Sequence, residues 1–564
     1  MLRTCRVLCS QASPSAGGWR PLNFDGGAFH LKGTGELTRA LLVLRLCAWP
    51  PLVTHGLALQ AWSQRLLGSR LSGALLRASI YGQFVAGETA EEVRGCVQQL
   101  QTLGLRPLLA VPTEEEPDSA VKTGEAWYEG NLHAMLRCVD LSRGLLETPG
   151  PTGNILMQLK MTALTSTWLC KALTSWVRRP GASLELSPER LAEAMDSGQD
   201  LQISCLTAEQ NQHLQASLSR LHRVVQHARA QHVRLLVDAE YTSLNPALSL
   251  LVAALAARWN RPREGGPWVW NTYQAYLKDT HERLQQDAEA ADGAGLAFGV
   301  KLVRGAYLDK EREVARLQGT EDPTQPDCEA TSQSYSRCLE LMLTHVSRRG
   351  PVCHLMVASH NEESVCQATK RMWELGIPLD GPVCFGQLLG MCDHVSLALG
   401  QAGYAVYKSI PYGSLEEVIP YLIRRAQENR SVLQGARREQ ELLSQELWRR
   451  LLRRGLSTLA ARRPVVLSSL GPQPLRSDPT SGPFPGLQPL PSDCPPLDPY
   501  SLTARRSQPL SDPNPQMECP ALRFPDPLQL SDVLSPLTFW IPASSVFISL
   551  EVPPFTSSCP HEPP

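Results

Sequence analysis

The chain has 564 residues, 43% hydrophobic and 19% charged, an ordinary globular composition with room for one large domain plus extensions. A net charge of −1 supplies no field that would draw in nucleic acid, so no nucleic-acid partner is expected. Sixteen cysteines without a C-x-x-C pair or regular spacing suggest neither a zinc cluster nor a disulfide framework, and read as reduced structural thiols.

The first stretch, MLRTCRVLCSQASPSAGGWRPLNFD, carries Arg3, Arg6 and Arg20, several serines and no acid before Asp25. That is the pattern of a mitochondrial transit peptide, assigned to residues 1–24. Residues 25–84 read as a helical arm. Its segment ALLVLRLCAWPPLVTHGLALQAW is apolar, but Arg45, the pair Pro50 and Pro51, and His55 interrupt it, leaving no clean run of about 18 residues. Short helices that pack on the domain or touch a membrane surface fit better than a span.

From about residue 105 to 430, short apolar runs alternate with longer amphipathic ones. The expected strands are 105–111, 155–163, 233–240, 268–274, 298–305, 353–360, 381–387 and 404–410, each followed by a helix-forming run. Eight such units in succession predict a closed (β/α)8 barrel over residues 85–450. An open doubly wound sheet is the alternative, but no G-x-G-x-x-G follows the first strand and no Walker-type loop is present. Residues 451–564 begin as a basic helix, then become crowded with proline, serine and leucine. This tail is expected to be largely disordered.

Chemistry in such a barrel sits at the C-terminal strand ends. The polar residues expected there include Lys160, Asp238, Asn271, Lys301, Arg304, His360, Asn361, Lys408 and Ser409. The set is cationic and amide-rich. His360 lacks a partner four residues on and no H-E-x-x-H occurs, so no metal site is expected. Lys160 interrupts an apolar strand, where a lysine is costly without an anionic partner or ligand. Taken alone it would also suit a Schiff-base lyase. Lys301 and Arg304 fall on opposite faces of a regular strand, so both can serve one site only if Arg304 lies past its end. In the helix expected at 414–430, Leu415, Val418, Ile419, Leu422 and Ala426 form the apolar face. Tyr421, Arg424, Arg425 and Glu428 share one flank, where Glu428 can brace both arginines for bidentate capture of a carboxylate.

The segments FVAGET, LKMTAL, LLVDAEY, NTYQAYLKD, KLVRGAYLDKER, VASHNEES, FGQLLGMCDH and YLIRRAQEN, in this order over about residues 80–450, resemble the proline dehydrogenase family. The resemblance implies a distorted TIM-like barrel that binds FAD without a Rossmann domain, with the last helix lying over the barrel mouth. It implies a carboxylate grip by Lys160, Arg424 and Arg425, oriented by Asp238 and Glu428. Tyr307 and Leu308 would cover the substrate ring. Asn271, Lys301, Arg304, His360 and Asn361 would contact the flavin. It further implies hydride transfer from ring C5 to flavin N5, electrons passed to ubiquinone, and a place on the matrix side of the mitochondrial inner membrane; the apolar arm, by its own composition, is the segment expected to make membrane contact. One position departs from the proline-oxidising members. They carry a tyrosine fifteen residues before Arg424, where this chain has Ser409. Serine opens room for a 4-hydroxyl and adds a hydrogen-bonding group, which favours trans-4-hydroxy-L-proline over L-proline as substrate.

Overall fold

Eight runs rich in Val, Leu and Ile become eight parallel strands, because a parallel sheet buried on both faces demands near-continuous apolar sequence. They are β1 (Arg106–Ala110), β2 (Ile155–Leu159), β3 (Val233–Val237), β4 (Val269–Gln274), β5 (Phe298–Val303), β6 (Cys353–Ala358), β7 (Val383–Leu388) and β8 (Val406–Pro411). In this computed structural model β1 pairs with β8 as well as with β2, so the sheet closes into a barrel in sequence order. The structure describes residues 19–113, 124–145, 154–179, 186–198, 201–262, 265–428 and 437–461. Most of the expected transit segment and the Pro-rich tail after residue 461 lie outside the described residues.

All eight expected strands are present, but several stop early. β2 ends at Leu159, and Met161–Ala163 fold into a 3-10 turn instead. β3 ends at Val237 and β5 at Val303. Lys160, Asp238 and Arg304 therefore lie just past the last ladder residue, where the chain is released from pairing and side chains can converge.

Alternate residues of each strand point into the barrel. The lower lumen is filled by Leu108, Leu156, Leu236, Trp270, Met356, Cys384 and Tyr407, all buried. β5 contributes Gly299 to this layer, and a Cβ there would sit 2.5 Å from Trp270 Cγ. The glycine is thus the space the indole occupies. The opposite strand faces join the large core beneath the surrounding helices.

The arm comprises the helices Thr34–Cys47, Pro50–Thr54 and Gly56–Leu76, leading to Tyr81 and Val85. Tyr81 and Val85 pack with Val418 and Ile419 of the helix Leu415–Glu428, which follows β8. The FVAGET segment secures the approach to that helix. Ala86 N–H donates to Pro411 O at 3.0 Å, Gly413 N–H to Gly87 O at 3.0 Å, and Tyr81 Oη to Gly413 O at 2.8 Å. Thr89 and Glu92 then close a capping box on the next helix.

Candidate active site at the barrel mouth

Above the apolar layer, several of the next inward positions are polar. Lys160, Asp238, Lys301 and Ser409, four of the expected site residues, meet there, joined by a residue the sequence reading did not single out, Gln158. Asp238 is the hub. Lys301 Nζ lies 2.7 Å from its Oδ1, and Lys160 Nζ 3.7 Å from its Oδ2. Gln158 Nε2 donates to the same carboxylate at 3.3 Å, and Ser409 Oγ donates to Gln158 Oε1 at 2.5 Å. Burial pushes the Asp238 carboxyl up, but the charges of Lys301 and Lys160 and the hydrogen bonds from Lys301 and Gln158 outweigh it and hold it below the ordinary carboxylate value. The carboxylate is therefore ionised at neutral pH. Gln158 was findable in principle: it stands two residues before Lys160 and shares its strand face.

The turn that presents Lys160 is braced from below by the helix Ala208–Ala230. Arg220, almost wholly buried, donates through Nε to Leu164 O at 2.8 Å, and Ser166 N–H donates to His213 Nε2 at 3.0 Å. Both braces come from a helix whose sequence shows only ordinary amphipathic spacing.

Tyr307 and the helix after β8 supply a second group. Arg425 Nη1 donates to Tyr307 Oη at 3.1 Å. Its guanidinium lies 5.7 Å from the Tyr307 ring centroid and 5.4 Å from that of Tyr421, within cation–π range of both. Tyr241 stacks on Tyr307 at 4.3 Å between centroids, tilted by 36°. Arg424 is half-buried on the same helix. Glu428 ends the helix, and its side chain lies outside the described residues. Gly305, at φ +132°, makes the turn before Tyr307 possible, since a Cβ there would fall 1.8 Å from Tyr276 Cδ1.

The remaining expected residues divide. Arg304, past the end of β5, donates through Nη2 to Ser332 Oγ at 2.9 Å, while its Nη1 is buried with no hydrogen-bond partner among the described residues. His360 Nε2 accepts from Leu388 N–H at 3.1 Å. Burial, with the Lys408 charge nearby, pushes this histidine down to about 3, so the ring is neutral with its proton on Nδ1. Asn361 caps the helix Glu362–Glu374, accepting from Ser364 N–H at 2.8 Å. Asn271 turns to the helix side of β4, with Nδ2 3.4 Å from Ser249 Oγ, and lines a small pocket there together with Asp238. Lys408, fully buried beside Ser409 in sequence, points outward and holds Asp393 Oδ1 at 2.9 Å and Met391 O at 2.7 Å. It is a structural cation.

The sequence profile of the family described as proline dehydrogenase matches residues 154–438. The chain is 90% identical over 456 residues to hydroxyproline dehydrogenase of Bos taurus, covering 81% of this chain and 99% of that protein. It is 88% identical over 452 residues to hydroxyproline dehydrogenase of Homo sapiens, covering 80% and 98%. Proline dehydrogenase 1, mitochondrial, of Homo sapiens is 32% identical over 535 residues, covering 75% and 88%. Among solved structures, proline utilization A (PutA) from Bdellovibrio bacteriovorus, inactivated by N-propargylglycine, shares the fold with a TM-score of 0.50 at 20% identity. The match covers 74% of this chain and 40% of that one.

Proposed function

The chain belongs to the proline dehydrogenase family and is an oxidoreductase, and from that premise we propose that it oxidises trans-4-hydroxy-L-proline to 1-pyrroline-3-hydroxy-5-carboxylate. The observation that carries the reading is the Lys160–Asp238–Lys301–Gln158–Ser409 cluster, set in one barrel mouth with a half-buried Ser409. The names of the 90% and 88% identical relatives support the same substrate.

FAD is the proposed cofactor, and when bound it supplies the hydride acceptor for the ring carbon. The donor set fits an anionic dinucleotide. Lys301 and Arg304 place two cations at the end of β5, and the buried Arg304 Nη1 has a proton to donate and no described acceptor. Neutral His360, with its Nδ1–H, stands at the end of β6. Lys301, Arg304 and His360 are the residues proposed to hold the cofactor, with Asn361 capping the helix beside them. Asn271 enters this role less directly, from the helix side of β4.

The chain's own work is orientation and charge. Arg425, held by Tyr307 and flanked by Tyr421, is the residue proposed to take the substrate carboxylate, with Arg424 and Lys160 as further cations. Charge-assisted, forked bonds of this kind fix a planar carboxylate in position and plane. Asp238 keeps two lysines ordered without neutralising the site as a whole. Tyr307 and Tyr241 form an aromatic wall that would shield the ring from water. Glu428 is proposed to brace the arginine pair.

Ubiquinone is the proposed electron acceptor, and the matrix side of the mitochondrial inner membrane the proposed location, in line with the mitochondrial naming of the 32% identical relative. The arm is the proposed membrane contact. It exposes Trp49, Leu57, Trp62, Leu66, Leu71 and Leu75, and no acid occurs between Glu36 and Glu88, whereas Arg39, Arg45, Arg65, Arg70 and Arg77 do. No helix of the described residues is long and apolar enough to cross a membrane.

The test is anaerobic titration of the purified protein. Yellow protein whose visible absorbance bleaches at lower trans-4-hydroxy-L-proline than L-proline is the expected result. Earlier and faster bleaching by L-proline would favour the alternative reading, an L-proline dehydrogenase, and colourless protein active without flavin would overturn both.

A further inference from the structure

Ser409 reaches Gln158 across β1. In the barrel register Ser409 stands beside Leu108 and Gln158 beside Ala110. The small Ala110 side chain leaves the space through which the amide and the hydroxyl meet. Gln158 is itself nearly buried and is engaged at both ends: Oε1 by Ser409, Nε2 by Asp238 at 3.3 and 3.5 Å.

The direction of this chain of hydrogen bonds follows from its anchored end. An ionised carboxylate only accepts. Asp238 sits between Lys301 and Lys160, so the Gln158 group facing it must be the NH2. The amide oxygen then faces Ser409. A serine hydroxyl has one proton, and here Gln158 takes it. What Ser409 retains for the half-buried pocket side is lone pairs alone.

We propose that Gln158 is a positioning residue for substrate choice: anchored by Asp238, it fixes Ser409 as an obligate hydrogen-bond acceptor toward the ring, so that the pair selects a substrate whose 4-substituent donates. This rests on the reading of the site as one that takes a 4-hydroxylated proline ring. A free serine hydroxyl could rotate to serve either as donor or as acceptor and would discriminate weakly. A fixed acceptor is satisfied by a ring hydroxyl and left unpaired by a ring C–H, and an unpaired polar group in a closed pocket is what turns room for a hydroxyl into a requirement for one.

The test needs no variant at first. The wild-type protein is assayed with trans-4-hydroxy-L-proline, L-proline and trans-4-fluoro-L-proline, which is polar at C4 but cannot donate. The fluoro compound is expected to behave like L-proline. Next come Gln158→Met, Ser409→Ala and the double variant, with flavin content and melting temperature recorded for each. Each single variant is expected to lower the hydroxyproline-to-proline ratio of kcat/KM roughly tenfold or more, through the KM for hydroxyproline more than through kcat. The double variant should lose no more than either single one, because both act on the same bond. Equilibrium binding of tetrahydrofuran-2-carboxylate with and without a 4-hydroxyl, which cannot be oxidised at a C–N bond, should show the same loss. A fluoro compound as good as hydroxyproline, an unchanged ratio in Gln158→Met, or losses that add in the double variant would each overturn the proposal while leaving the hydroxyproline reading intact. A wild-type protein that prefers L-proline overturns both.

Discussion

Neighbouring residues in this barrel do unrelated work. Lys408 and Ser409 are adjacent in β8, yet one is an outward structural cation and the other borders the site. Lys160 and Lys301 were expected on separate grounds, and Asp238 is what makes them one cluster. Buried histidines make a prediction at this scale. Burial, with the Arg234 charge, pushes His354 down to about 4, and His360 lies at about 3, against an ordinary 6.5. Between 6.5 and those values the unfolded chain binds protons that the folded chain refuses, so stability rises with pH there. Acidification from pH 6.5 should therefore destabilise the protein, by at most about 1.4 kcal/mol per pH unit for His354 and less for the more accessible His360. Denaturant midpoints across that range check it. His354→Phe should flatten the slope, and an equal slope in the variant would remove His354 from the account.

Helices divide between those that position the site and those that face outward. The helix Leu415–Glu428 presents Val418 and Ile419 to the arm and Arg425, with Tyr421 beside it, to Tyr307. Gln427 Nε2 ties it to Val53 O at 3.0 Å, so the arm and this helix hold each other. The arm helix Gly56–Leu76 leaves its other surface uncovered, with Trp62 63% and Leu66 64% exposed. If that surface docks on an acidic bilayer, Trp62→Glu together with Leu66→Glu should weaken cosedimentation with vesicles containing anionic phospholipid by roughly a thousandfold, at about 2 kcal/mol for each side chain. Melting temperature and turnover with a soluble electron acceptor should not change, since neither side chain is buried. Undiminished binding of the variant would dissociate the arm from the membrane.

At the scale of the whole molecule, the barrel is closed by pairing between β1 and β8 and by a lumen filled below and polar above. Trp270 occupies the place left by Gly299, so Trp270→Ala should leave a cavity and cost roughly 3–5 kcal/mol, read as a lower denaturant midpoint with the slope retained. A loss below about 1 kcal/mol would mean that the lumen collapses around the gap. The eight strands, the apolar arm and the charged flank of the helix after β8 were legible from periodicity, because each is a local pattern of one element. Strand ends were overrun, since an apolar run does not reveal where ladder pairing stops. Asn361 caps a helix at a strand-to-helix turn, a place where a cap and a ligand contact draw on the same kind of polar residue. What the chain's linear order determined, then, was the inventory: a barrel, its cations and a serine with room beside it. What only the tertiary structure decided was who meets whom. Ser409 and Gln158 are 251 positions apart and Arg425 and Tyr307 are 118. Their meeting depends on the register and closure of all eight strands together, a property that no single segment contains.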